Sequence, residues 1–246
     1  MRIVDIKDLK IIRRLNKGTF SNVYIVELDD KKYCYKEIVH PYADDNSMVK
    51  LCDMTDESFE NQFIIPKFMV FSSTRSLFTG YLSIYAPNLV SIFNPFTREE
   101  KIKLLKSVRN NIEILHNNYN IVHGDLHLKN ILCHKNVFET ALIDFDFSQR
   151  CGEAPSTFCN YGIAMQNYVQ KFPFDFKADI YYFNLSTFML LAEIERSYYE
   201  ETMEIILKEQ YYFSEINNDV KKLVRELRLD DTKKSYSGDY IIDYLY

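Results

Sequence analysis

Apolar and polar positions along the chain fall into short strand-like runs in the first third and into longer helical stripes beyond it. Residues 11–26 read as strand, turn and strand, the second strand carrying the run Val23, Tyr24, Ile25 and Val26. Residues 32–38 (KYCYKEI), 63–70 (FIIPKFMV) and 80–85 (GYLSIY) predict three further strands, with a helical piece over 48–54. Over residues 98–118 the spacing changes. Ile102, Leu105, Val108, Ile112 and Leu115 recur at helical intervals, entered from Thr97 as a cap with Glu100 three residues later. Two short apolar runs, 131–133 and 141–143, flank a polar turn at 134–136. Residues 176–191 (FKADIYYFNLSTFMLL) predict a long apolar helix with Asp179 near its start.

Among these elements, residues 121–148 (IVHGDLHLKNILCHKNVFETALIDFDFS) concentrate the chemistry. The pattern H-x-D-x-x-x-x-N supplies Asp125 and, five residues on, Asn130; the run at 141–143 ends in Asp144-Phe145-Asp146. Such a set suits phosphoryl transfer. An aspartate can orient an attacking hydroxyl, while an amide oxygen and a second carboxylate hold hard Mg²⁺ against phosphate oxygens. Taken singly, each residue has a plainer role: a loop Asp or Asn forms turns or caps helices, and a lone His is most often structural. The fixed offsets between strand-like runs carry the signal.

HGDLHLKNIL followed by IDFD resembles the catalytic loop and metal corner of the protein-kinase-like superfamily, in a compact and divergent form of the eukaryotic-type Ser/Thr kinases. The resemblance runs from about Ile11 to the end of the sequence. It implies an α+β, two-lobed fold in a single domain over 1–246, with a β-rich N-lobe at about 1–85 and a helical C-lobe at about 89–246. It also implies ATP and Mg²⁺ as cofactors. Position by position, Asp125 becomes the catalytic base or orienting carboxylate, with Asn130 its partner in the loop. Asn130 and Asp144 become Mg²⁺ ligands, and His123 buttresses the loop. Lys36, thirteen residues after Val23 as suits adjacent antiparallel strands, becomes the phosphate-binding lysine. Gly18 stands in a reduced glycine-rich loop, with Asn16 and Ser21 at the other glycine places, and Leu15 and Val23 bracket the adenine. Ala86-Pro87-Asn88 resembles the hinge, Asp179 the aspartate that holds the catalytic loop through its backbone N–H groups, and 220–240 the closing helices. The glutamate that holds Lys36 is left open between Glu57 and Glu60.

Several departures bear on function. Gly124 replaces the usual arginine after the loop histidine, which removes the receptor for an activation-loop phosphate. His127 replaces a lysine, and HGDLH is also typical of aminoglycoside phosphotransferases. Asp146 replaces the glycine of D-F-G and leaves open a further metal contact. Ala164-Met165-Gln166 lies where A-P-E is expected, and Lys234 where its arginine partner would be. A protein Ser/Thr kinase with a protein substrate is the favoured reading. A small-molecule kinase and a nucleotide-binding pseudokinase are the alternatives. Lys36, Asp125 and Asp144 are all present, which favours activity.

Bulk properties narrow the classes further. The 246 residues are 47% hydrophobic and 26% charged, enough for a substantial core. A net charge of −5 gives no broad basic face for nucleic acid. Five cysteines without metal-ligand spacing suggest reduced thiols and a cytoplasmic setting. No apolar run is long enough to span a membrane, and the N-terminus lacks the apolar segment of a signal peptide.

Overall fold

The computed structural model describes residues 2–17, 21–39, 59–73, 77–134, 137–153 and 175–191, together with Ile242. The expectations for Gly18, the helical piece over 48–54, Glu57, residues 164–166 and 220–240 with Lys234 lie outside these residues, as does most of the turn at 134–136. The chain divides into two compact units. Among the described residues one takes in everything up to Asn88 together with Ile143–Asp146, and the other takes in Leu89–Leu142 and the residues from Phe147 onward.

The first unit contains β1 (Arg2–Asp5), β2 (Lys10–Lys17), β3 (Ser21–Leu28), β4 (Lys31–Ile38), β5 (Phe63–Ile64), β6 (Pro66–Phe71) and β7 (Phe78–Ile84). Six of them form a sheet in the order β1-β6-β7-β4-β3-β2. Asp29 and Asp30, both at positive φ (50° and 58°), make the two-residue turn between β3 and β4, the geometry whose twist matches a hairpin. That turn fixes the register. Val23 lies opposite Lys36, Lys36 opposite Tyr81, and Tyr81 opposite Met69. Directly opposed residues share a face, so these four form one row. The neighbouring row turns the other way, as strand alternation requires. There Tyr35 and Leu82 join Val4, Val26, Leu28 and Val70 in a buried cluster. Burial of each such side chain contributes about 1.5–3 kcal/mol.

Two features differ from the strand pattern expected above. Residues 63–70 do not form one strand: Ile65 interrupts it, and the second piece starts at Pro66, which has no N–H to donate to a ladder. Leu15 lies at an irregularity in the β2–β3 register, between the pairs Arg14↔Tyr24 and Asn16↔Val23. β1, which the pattern did not announce, pairs parallel to β6.

The second unit contains β8 (Leu89–Ser91), α1 (Arg98–Tyr119), β9 (Ile121–Val122), β10 (Ile131–His134), β11 (Thr140–Ile143, whose last residue is counted with the first unit), β12 (Gln149–Arg150) and α2 (Phe176–Leu191). The capping box at the start of α1 is formed: Glu100 N–H donates to Thr97 Oγ1 (3.3 Å) and Thr97 N–H to Glu100 Oε2 (2.7 Å). Asn120, in the left-handed conformation at φ 55°, ends the helix and turns the chain into β9. Leu105, Val108, Ile112 and Leu115 are fully buried as the period predicts, and Leu104 joins them while Ile102 is half-buried. β10 pairs antiparallel with β8 and β11, and β9 with β12. Asn111 Nδ2 donates to the Thr140 carbonyl (2.8 Å) and Thr140 N–H to Ser107 Oγ (3.0 Å), which ties the start of β11 to α1. Among the described residues no helix is long and apolar enough to cross a membrane.

Candidate active site

The loop between β9 and β10 is held from beneath by one carboxylate. Asp179, fully buried near the start of α2, accepts His123 N–H at Oδ2 (2.7 Å) and Gly124 N–H at Oδ1 (2.9 Å). His116 Nε2 meets Oδ2 at 2.9 Å, its ring stacked on Phe176 with centroids 4.4 Å apart. A carboxylate removed from water requires partners of this kind. The contacts to loop N–H groups match the role expected for Asp179. His116 was not singled out from the sequence, although it sits one residue after Leu115 in the periodic helix. Gly124 has a backbone reason to be glycine: its φ of 79° lies in the left-handed region while its N–H reaches Asp179.

Upon that support the loop displays Asp125. Asn130, at the end of a single 3₁₀ turn (Leu128–Asn130), donates from Nδ2 to the Asp125 carbonyl (2.8 Å) and to Oδ2 (3.0 Å). His127 Nδ1 accepts Lys129 N–H (3.2 Å), which leaves the Nε2 proton for Asp125 Oδ2 at 3.4 Å. His123 is fully buried. Its Nδ1 accepts Asp125 N–H (3.3 Å) and its carbonyl accepts Ser148 Oγ (2.9 Å). Burial pushes the Asp125 carboxyl upward, but His127, His123 and Asn130 outweigh it and hold the pKa below the ordinary value of 3.8.

The first unit carries a second polar cluster. Lys36 Nζ forms ion pairs with Asp144 Oδ1 and with Asp146 Oδ2, the latter at 2.5 Å. Tyr81 OH donates to Asp146 Oδ1. Phe145 between the two aspartates is fully buried and meets Phe63 edge to face at 6.4 Å, which fixes the corner to its own unit. Asp144 stands at φ 66°, an uncommon conformation for a residue with a side chain and of the kind found at functional corners. Burial disfavours the Lys36 ammonium, yet the two carboxylates outweigh it and raise its pKa above 10.5. For Asp146, burial and the nearby Asp144 prevail over Lys36, and its pKa lies above 3.8. Burial and the same two anions hold the Tyr81 phenol well above its ordinary 10.0.

The described residues thus bring Asp125 together with Asn130, and Lys36 together with Asp144. Val23 is half-buried in the row with Lys36, while Leu15 is exposed. Glu60, one of the two glutamates considered for Lys36, is exposed and accepts from Gln62 Nε2 (2.6 Å). Tyr81 and the bridging role of Asp146 were missed by the sequence reading. Asn130 and Asp144, each within its own unit, carry oxygen donors of the hard kind that Mg²⁺ takes. No group of three or more metal-ligating side chains occurs among the described residues, and Mg²⁺ commonly takes one or two protein oxygens with substrate phosphates and water. The side-chain hydrogen bonds of Asn130 to Asp125 run from Nδ2, and Oδ1 is the oxygen such a cation would take. The side chain of Asp144 is about one-third exposed (30%).

The fold is α+β, and the chain is a phosphotransferase of the kinase class. Residues 9–241 match the family described as Protein kinase domain, and the chain belongs to that family. No curated protein matches the chain. Members of the family generally use ATP and Mg²⁺.

Proposed function

We propose that the chain is an ATP- and Mg²⁺-dependent protein serine/threonine kinase that transfers the γ-phosphoryl group to a hydroxyl. The observation that carries this reading is the prepared state of Asp125, whose Oδ2 is held by Asn130 and His127 on a loop tied to Asp179. Oδ1 is then the atom that orients the acceptor hydroxyl and takes its proton. A carboxyl held below the ordinary range is a weak base, so orientation is its larger contribution. That suits a loose transition state in which little proton abstraction is needed early. Lys36 binds the phosphates, Leu15, Gly18 and Val23 contact the nucleotide, and Asn130 Oδ1 with Asp144 holds the metal. When bound there, Mg²⁺ neutralises charge on the phosphate oxygens.

A small-molecule acceptor is the second reading, favoured by His127, which reaches Asp125 from the place where a lysine is usual. Purified protein with Mg²⁺ and γ-labelled ATP, with and without generic protein acceptors, decides between them beside Asp125→Ala. Label on protein that disappears in the variant supports the protein kinase. Asp125-dependent ATP turnover without labelled protein moves the acceptor to a small molecule. Nucleotide binding with no turnover would sink catalysis altogether and leave a binding module.

A further inference from the structure

We propose that Asp146, held by Tyr81, is the positioning residue for the phosphate-binding lysine Lys36. This rests on the phosphotransferase reading above and extends it to a residue outside the expected machinery.

The argument begins with a shared cation. Lys36 serves two carboxylates, and Asp144 is assigned to the metal, so Asp144 is not available as a permanent anchor. The two aspartates differ in how they are held. Asp146 is the more buried, 13% exposed against 30% for Asp144. Its two oxygens are both used, Oδ2 by Lys36 at 2.5 Å and Oδ1 by Tyr81 OH. Lys36 and Tyr81 lie directly opposite each other on β4 and β7, so one carboxylate bridges two adjacent strands. Gly80 permits that closeness: at φ 150° it adopts a conformation that residues with side chains rarely take, and a Cβ there would collide with the Lys36 carbonyl. Fully buried Phe145 fixes the backbone beside Asp146. The site is therefore built from three sides, with an anion that stays on Lys36 when Asp144 turns to a cation. Asp146, read from sequence as open to a further metal contact, has both oxygens engaged within the protein instead.

Calorimetric titrations test this with ATP at several Mg²⁺ concentrations and with adenosine alone. Deleting a negative charge beside Lys36 would by itself favour a polyanion, so weaker ATP binding reports lost positioning. Asp146→Ala is expected to weaken ATP about tenfold at saturating Mg²⁺, the scale of one charge-assisted hydrogen bond. Adenosine affinity and the Mg²⁺ half-saturation should not change. Asp146→Asn should behave like Asp146→Ala, Tyr81→Phe should lose about threefold, and neither change should matter in a Lys36→Met background. Unchanged or tighter ATP binding in Asp146→Ala overturns the assignment, as does a loss recovered by added Mg²⁺, which would make Asp146 a metal ligand. Equal loss of adenosine binding would show a general structural defect and overturn it too. A wild-type chain that binds no ATP overturns the phosphotransferase reading along with it, an outcome distinct from normal wild-type binding with an indifferent variant.

Discussion

Asp179, fully buried, and Asp146, largely but not fully buried, each stand at the centre of a polar cluster, and they are satisfied in different ways. Asp179 receives two peptide N–H groups and a histidine, whereas Asp146 receives an ammonium and a phenol. Peptide N–H groups are permanent and carry no titratable charge, so the catalytic loop keeps its shape whatever is bound. The lysine cluster holds one cation between two anions, an arrangement that changes when either anion is given another partner. One cluster is a scaffold, and the other, on the proposed function, is a set of charges that a ligand redistributes.

The largest effects separate the two directly. Lys36→Met removes the proposed phosphate contact and leaves two partly buried carboxylates without a countercharge. Labelled-ATP assays should show transfer reduced about a thousandfold, with a lower melting temperature. Asp125→Ala should reduce transfer about 10²–10⁴-fold with little change in melting, because the loop is held by Asp179 and not by Asp125. Comparable thermal losses in the two variants would erase the distinction.

Substitutions in the supports come next. Asp179→Ala strands His116 Nε2 and two peptide N–H groups in a buried site, and should cost about 3 kcal/mol in urea unfolding. Gly80→Ala drives a Cβ toward the Lys36 carbonyl. It should cost about 2 kcal/mol and weaken ATP in the same direction as Tyr81→Phe. A Gly80→Ala variant as stable as wild type would show that β4 and β7 separate easily, and that their closeness does not hold the lysine.

The same contrast explains what was legible in the sequence. The loop scaffold is largely local: His123 to Asn130 are contiguous, and Asp179 announces itself as a carboxylate at the start of an apolar helix. The Lys36–Val23 pairing was readable too, since one short hairpin sets that register. Lys36 with Asp144 and Asp146 joins positions more than a hundred residues apart, and no periodicity encodes which of two aspartates keeps the lysine. Tyr81 reads as one more aromatic in a strand until its register against Lys36 is known. The interruption at Ile65 and the β1–β6 pairing likewise depend on tertiary neighbours. His116 was hidden by position, being a polar residue on a helix face whose period had already been assigned to the core.

The smallest expected effect is in the pH dependence of stability, where the clusters act on opposite limbs. Lys36 has a folded pKa above 10.5. Its contribution is complete below 10.5 and falls as pH rises through the folded value, because the unfolded chain releases the proton first. Asp125, with a pKa below 3.8, contributes above 3.8 and loses that contribution as pH falls through its folded value. Asp146 opposes it: with a pKa above 3.8, the folded chain holds that proton more tightly, so stability falls as pH rises through its titration. Urea midpoints of metal-free protein across the pH range should therefore show a flatter alkaline limb in Lys36→Met and a flatter acid limb in Asp125→Asn. Asp146→Asn should make the acid-side rise with pH steeper. If Asp125→Asn leaves the acid limb unchanged, the contacts from His127 and Asn130 do not favour its ionised form in the folded chain, and the loop would be a scaffold for the backbone alone.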